Sequence, residues 1–454
     1  DEELRKTIDA LTGDEKKKTL SDAREAQWKN KAVTELYEPG SVFKVITAAA
    51  ALEEKTSSLS DTFHCSGSVT LPGFSKPMRC WKSGGHGQLN FTEAMVASCN
   101  PSFIAIGSKL GTVKFSQYFK GFGLTERTGI DLPGEEMSLY IPEKAMGVVE
   151  LASSSFGQSN KLTPIQMITA ISAAVNGGKL VQPHLVSKII DKDNNDLKKF
   201  STVVKRQVIS KDTSVIMRDI LEQVVNAKGG GNAYVKGFRI GGKSGTSQKG
   251  NDGVVNGYIS SFAGFAPANN PKIAVLIVCD NPQSGEIYGS VISAPAIAKV
   301  MADTLPYLGI EPSFTPEELA NLEISVPNLV SLGLPTAQVK LANIGITSKA
   351  IGDGVKVLRQ VPAAGTKIPR GGSVILYTNE IAENQQVSVP NLIGMSPANA
   401  NKALVNIGLN ISINGGGASN SSAKVISQDK AAGSMVEKGT VVSVSCVAQS
   451  LEEG

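Results

Sequence analysis

An apolar run from Val45 to Leu52 follows directly on Glu38-Pro39-Gly40-Ser41-Val42-Phe43-Lys44. Pro-Gly ahead of such a run marks a turn that enters a helix. Further along, Gly257 to Phe265 carries the pattern of a strand, Asn269-Asn270-Pro271 that of a turn, and Ile273 to Val278 that of the returning strand. Ala294 to Leu308 predicts a helix. Over residues 1–310 helices alternate with strands without repeating as βαβ units. The expected fold there is α+β, a central antiparallel sheet flanked by helices.

The C-terminal third repeats itself. Val326-Pro327-Asn328-Leu329 recurs as Val389-Pro390-Asn391-Leu392, and Asn343-Ile344-Gly345-Ile346 as Asn406-Ile407-Gly408-Leu409, both at an offset of 63. Gln360 and Ala364-Gly365 recur as Gln428 and Ala432-Gly433 at an offset of 68, so five residues are added in the second copy. They fall at Gly415-Gly416-Gly417-Ala418-Ser419, which is loop composition. Each copy predicts one helix, Thr336 to Asn343 and Pro397 to Asn406, followed by strands such as Val374 to Tyr377. Two small α+β modules are expected at 324–380 and 386–448, with a polar linker at Ala382 to Gln386.

Length and composition narrow the function. At about 150 residues per domain, 454 residues suggest three domains. Hydrophobic residues at 41% and charged residues at 19% exclude a wholly disordered chain. A net charge of +4 and 5% aromatics argue against a nucleic-acid partner. No apolar run of about 18 residues and no signal-peptide pattern is present. Five cysteines are too few for a disulfide scaffold, and the odd number leaves one unpaired within the chain.

Three motifs carry candidate chemistry. In the first, Ser41 lies in the first helical turn with Lys44 three residues on, on the same face. A serine hydroxyl needs a base, and Lys44 serves if desolvation and a neighbouring cation lower its pKa. Taken alone, S-x-x-K is most often a helix cap beside a solvated lysine. In the second, Ser98-Cys99-Asn100, Ser98 can relay a proton and Asn100 can hold a substrate amide; by itself the motif is a helix end. In the third, Gly242-Lys243-Ser244-Gly245-Thr246, Lys243 supplies a cation and Gly245 permits close approach to a strand.

Together the three resemble the S-x-x-K, S-D-N and K-T-G set of penicillin-binding proteins and class A β-lactamases. Cys99 stands at the middle of the second motif and Ser244 in place of threonine. Gly157-Gln158-Ser159, Leu162 to Gln166, Ala173 to Gly178 and Pro183-His184 extend the likeness to class B, monofunctional penicillin-binding proteins of the division and sporulation types. The repeats resemble PASTA modules.

The resemblance implies a serine D,D-transpeptidase that cross-links peptidoglycan stem peptides and is acylated by β-lactams. It makes Ser41, Lys44, Ser98, Asn100 and Lys243 catalytic. Ser244, Gly245 and Thr246 would bind substrate, with the Ser41 and Thr246 backbone N–H groups as oxyanion hole. No catalytic cofactor is implied. Partners would be stem peptides, β-lactams and other wall-synthesis, division or sporulation proteins, with no nucleic acid. It further implies an extracytoplasmic enzyme, anchored by an N-terminal segment absent from this chain, with the first sheet strand also missing. Two alternatives stay open. One is a β-lactamase or D,D-carboxypeptidase, with Glu93, Glu135 or Glu150 as candidate deacylating base. The other is a non-catalytic β-lactam sensor or wall-binding protein.

Two of the three histidines and three of the five cysteines fall between residues 64 and 99. Cys65, Cys80 and His86 suit a structural zinc, with Asp61, His64 or Cys99 as fourth ligand. A Cys65–Cys80 disulfide or buried free thiols are the other readings. Cys279 and Cys446 are expected in cores, and His184 has no chemical role.

Overall fold

Two helices without a counterpart in the sequence reading open the chain: α1 (Glu2–Ala10) and α2 (Gly13–Trp28), the second burying none of its residues. The turn Gly40–Phe43 is a 3-10 helix and leads into α3 (Lys44–Glu53), in which every residue from Lys44 to Ala51 is buried. A helix apolar on all sides belongs in the centre of a core. Around it lie α4 (Phe91–Val96), α5 (Asn100–Gly121), α6 (Pro164–Val175) and α7 (Lys211–Asn226), and one hydrophobic cluster joins them. The start of α6 is set by Pro164 in its first turn and by reciprocal capping between Thr163 and Gln166. This computed structural model describes residues 2–226, 231–251, 254–313, 323–369, 371–379, 386–414 and 423–448.

The sheet of this first unit has, among the described residues, three antiparallel strands besides short local pairs. They are β1 (Gly241–Asn251), β2 (Val254–Ala266) and β3 (Ile273–Asp280), in the order β3-β2-β1. The expected hairpin is β2 and β3, with Phe262 opposite Ile277 and the turn closed by Asn270 N–H to Pro267 O. The third motif pairs in register on the other side of β2, with Lys243 opposite Ala263 and Thr246 opposite Ser260. β1 is thus an edge strand, and its outer side faces the first two motifs. Helix α8 (Gly289–Tyr307) starts five residues before the expected Ala294. Cys279 is only half-buried, because β3 is the opposite edge of the sheet.

Compactness divides the chain into residues 1–235 with 239–303, and 236–238 with 304–454. The second unit holds the two repeats. In each, a helix (Leu334–Asn343; Pro397–Asn406) packs on a three-stranded sheet whose middle strand (Ser373–Tyr377; Val441–Ala448) is parallel to one neighbour and antiparallel to the other. The repeated glutamine explains the repeated turn. Gln360 Oε1 accepts from Leu329 N–H at 2.7 Å and its amide donates to Pro327 O at 3.1 Å. Gln428 does the same to Leu392 N–H at 2.8 Å and Pro390 O at 3.1 Å. Cys446 is buried in the second core, as expected. The five added residues at 415–419 lie outside the described residues. So does the linker read at 382–386, apart from Gln386, which opens a strand.

The two repeats are joined by polar contacts. Buried Asn410 accepts from Ser373 N–H and donates to Ser373 O, each at 3.0 Å, and donates to Gly439 O at 2.8 Å. Arg359 makes a forked pair with Glu437, at 2.9 and 2.6 Å, while its guanidinium lies 3.9 Å from the centre of the Tyr377 ring.

Candidate active site

The three motifs meet at one place although Ser98 and Lys243 are 145 residues apart. Lys44, at the start of α3, donates to Ser98 O at 2.7 Å, Ser98 Oγ at 3.3 Å and Asn100 Oδ1 at 2.8 Å. Lys243, from β1, donates to the same Ser98 Oγ at 3.0 Å. The Ser98 hydroxyl therefore lies between two amines, where it can receive a proton from one and pass one to the other. Ser98 adopts a left-handed backbone, φ 51°, between α4 and α5. A non-glycine residue holds such a conformation only where its surroundings impose it.

Both lysines are fully buried. Burial first, and the Lys243 charge second, hold the Lys44 amine well below an ordinary lysine, while Cys99 and Cys80 act the other way. Burial also lowers Lys243, to about 7. Two nearby amines whose pKa values burial lowers are suited to proton transfer.

Ser41 is half-buried in the turn that leads into Lys44. Its Oγ makes no hydrogen bond to the described residues; the three acceptors of Lys44 come from the second motif. Catalytic hydrogen bonds are often loose in a free enzyme, so this leaves Ser41 a candidate. The turn that carries it is pressed against β1. A Cβ at Gly245 would stand 2.6 Å from Pro39 O, so only glycine allows the contact. On β1, Lys243, Gly245 and Ser247 point to the buried side, while Ser244 and Thr246 share the other face and are half-buried. Thr246 Oγ1 accepts from Gly289 N–H at 3.1 Å at the start of α8, so the hydroxyl proton is free for an anionic group. Gly289 was not legible as a site residue. A glycine opening a helix, where a Cβ would stand 2.3 Å from Gly245 O, is the signal that marks it.

Behind the second motif, the ligand atoms of Cys65, Cys80, His86 and Cys99 all lie within 4.8 Å of one another. His86 Nδ1 is 3.6 Å from Cys80 Sγ, and its Nε2 is buried without a partner. Of the three residues considered for a fourth ligand, Cys99 joins the group and the other two do not. Residues Thr62–Cys65 form a strand that alternates exposed and buried positions, so Cys65 points inward and His64 outward. Asp61 instead pairs with Lys109 at 2.7 Å. No disulfide joins the cysteines among the described residues. The loop bearing Cys80 is fastened to the second motif on both sides of Cys99. Trp81 Nε1–H donates to Ala97 O at 2.9 Å, and Asn100 Nδ2–H donates to Arg79 O at 3.2 Å.

The three carboxylates considered as deacylating bases serve the local backbone. Glu93 caps Asn90 N–H at 2.8 Å and Glu150 caps Gly147 N–H at 3.0 Å. Glu135 accepts from Thr128 N–H at 2.6 Å and Gly129 N–H at 3.0 Å.

Comparison with known proteins shows the family of the chain. The family described as penicillin binding protein transpeptidase domain matches residues 5–302, and the PASTA domain matches 324–380 and 387–445. Stage V sporulation protein D of Bacillus subtilis (strain 168) is 42% identical over 79% of this chain and 56% of its own length. Peptidoglycan D,D-transpeptidase FtsI of Escherichia coli (strain K12) is 28% identical over 64% of this chain and 48% of its own length. The chain thus spans about half the length of these relatives. The apo structure of the TP domain of Burkholderia pseudomallei penicillin-binding protein 3 superposes with a TM-score of 0.56 and 26% identity, covering 63% of this chain and 84% of that one.

Proposed function

This chain belongs to the penicillin-binding protein transpeptidase family, and on that premise we propose that it is a serine D,D-transpeptidase of peptidoglycan synthesis. Ser41 attacks the peptide bond between two D-alanines of a stem peptide. The terminal D-alanine leaves and an ester to Ser41 Oγ forms. An amine of a second stem peptide then attacks the ester, which makes the cross-link and frees Ser41. Lys44 accepts the Ser41 proton, and Ser98 with Lys243 passes a proton to the leaving nitrogen. The N–H groups of Ser41 and Thr246 bind the oxyanion. The Ser244 and Thr246 hydroxyls take the substrate carboxylate, and the open edge of β1 receives the peptide as an added strand. Stem peptides and β-lactams are its ligands, other wall-synthesis, division or sporulation proteins its partners, and the outer side of the membrane its place of action. Among the described residues no helix is long and apolar enough to cross a membrane.

The observation that carries the reading is the Ser98 hydroxyl held between Lys44 and Lys243. Local capping by Glu93, Glu135 and Glu150 favours acyl transfer to an amine over rapid hydrolysis. A fluorescent penicillin should therefore give an adduct that persists for hours, and an acceptor amine should be incorporated into a donor peptide. An adduct lost within seconds would mean a β-lactamase. A stable adduct with no amine incorporation would mean a sensor.

The acylation rate should be bell-shaped in pH. Lys44 must be neutral to act as base, so the rate rises as pH climbs through its lowered pKa. Lys243 must be charged, so the rate falls as pH passes its value of about 7. Rates of penicillin acylation across the pH range check this. A rate that only rises into the alkaline range would remove the Lys243 cation from the relay.

We also propose a structural zinc ion held by Cys65, Cys80, His86 and Cys99. Tetrahedral zinc with thiolates at about 2.3 Å sets ligand atoms about 3.8 Å apart, which the cluster's spread of 4.8 Å or less accommodates. Three thiolates and one imidazole are a closed structural set with no open position for catalysis. The ion braces the second motif through Cys99.

A further inference from the structure

Glu38 precedes the nucleophile by three residues and takes no part in the relay, yet it is tied to both walls of the turn that holds Ser41. Its backbone carbonyl accepts from Ser247 Oγ–H of β1 at 2.7 Å. Its carboxylate Oε1 accepts from Ser159 N–H at 3.2 Å, across 121 residues of sequence. Ser159 has a left-handed backbone, φ 69°, a conformation that serine adopts only when held. Its hydroxyl is paired with Ser153 Oγ at 2.8 Å. Two residues back, Gly157 O accepts from Gly40 N–H at 3.0 Å. A Cβ at Gly157 would stand 2.0 Å from Gly40 O, so the two backbones are in direct contact. The residue that the 157–159 turn grips is therefore the neighbour of Ser41.

We propose that Glu38 is a positioning residue for the nucleophile: its carboxylate holds the left-handed turn at Ser159, and through the Gly157–Gly40 hydrogen bond that turn fixes the backbone of Ser41. Half-burial of the carboxyl raises its pKa, against the opposing effects of the Ser159 N–H and the Lys161 charge. What the position needs is a hydrogen-bond acceptor at this reach, and a neutral amide oxygen also supplies one.

The inference rests on the acyl-transfer reading, and one set of measurements separates them. Second-order acylation rates by a fluorescent penicillin are compared for the wild type, Glu38→Gln, Glu38→Ala, and Glu38→Ala combined with Ser159→Gly. Loss of positioning should slow Glu38→Ala by about tenfold or more, since small displacements of reacting groups have effects of that order. Glu38→Gln should stay within about threefold of the wild type, because its amide oxygen still accepts. Glycine takes the left-handed backbone without strain, so Ser159→Gly should restore much of the rate to Glu38→Ala. Amide exchange at 157–160 should quicken in Glu38→Ala and slow again in Glu38→Gln. Should Glu38→Ala fail to fold, Ser159→Val at this exposed position tests the same turn with Glu38 intact, and it should acylate more slowly. A wild type that takes no penicillin overturns both readings. A labelled wild type with an equally fast Glu38→Ala, or with Gln as slow as Ala, or with no recovery from Ser159→Gly, overturns this inference alone.

Discussion

Ser41→Ala should abolish covalent penicillin labelling and leave the melting temperature almost unchanged. The two halves of this expectation have separate causes. Labelling needs an oxygen nucleophile at position 41, and alanine has none. Activity losses on removing a nucleophile of this kind reach about 10⁶-fold. Stability is spared because Ser41 is half-buried and its Oγ makes no hydrogen bond to the described residues. Substitutions of that kind stay within about 0.5 kcal/mol. Ser98 is the competing nucleophile, since its hydroxyl is already bonded to both lysines. Mass spectrometry of the digested adduct decides between them, and a penicilloyl group on Ser98 would reverse the two roles.

If the proposed zinc is bound, its removal should produce the largest loss of stability. Protein purified without chelator should carry one zinc per chain, and Cys99→Ser should lose it. Structural zinc contributes about 10–16 kcal/mol to folding in small peptides. A domain with a large core would not unfold outright, but a loss of about 4 kcal/mol would lower the melting temperature by roughly 8–16 °C. The four ligands come from three segments of chain, near residues 65, 80–86 and 99. Without the ion, these segments keep the short strand pairs, the bonds from Trp81 and Asn100, the Asp61–Lys109 pair and the packing of Phe63 in the main core. Elemental analysis and thermal unfolding with and without chelator are the measurements. Protein free of zinc, with a mass about two daltons below the reduced chain, would show a disulfide and end the metal proposal.

The sequence is most informative where chemistry is packed into short motifs. Ser41 with Lys44, Ser98 with Asn100, and Lys243 to Thr246 are legible because each fits within five residues. Their convergence is not legible, because nothing local relates Lys243 to a residue 145 positions away. The repeats are legible for a different reason. Gln360 and Gln428 each close their own copy of the Val-Pro-Asn-Leu turn, so one physical requirement writes the same letters twice. The separation of His64 from the cysteine cluster lay within reach of the sequence, since the alternation along Thr62–Cys65 sends His64 and Cys65 to opposite faces. The left-handed backbones at Ser98 and Ser159 leave no such mark. Only a glycine at these positions would have announced them, and serine stands there because tertiary contacts hold it.

The Asn410 bridge between the two repeats has a consequence for whatever they touch. An amide that pairs with both backbone groups of Ser373 and with Gly439 O behaves like an extra rung of sheet, and the Arg359–Glu437 fork prevents rotation about it. Two modules joined only by a loose tether would search for a second contact at an effective concentration set by the length of that tether. Joined in this way they work as a caliper with its jaws set. Any ligand that touched both modules would meet them at a fixed spacing and lose little further orientational freedom on the second contact.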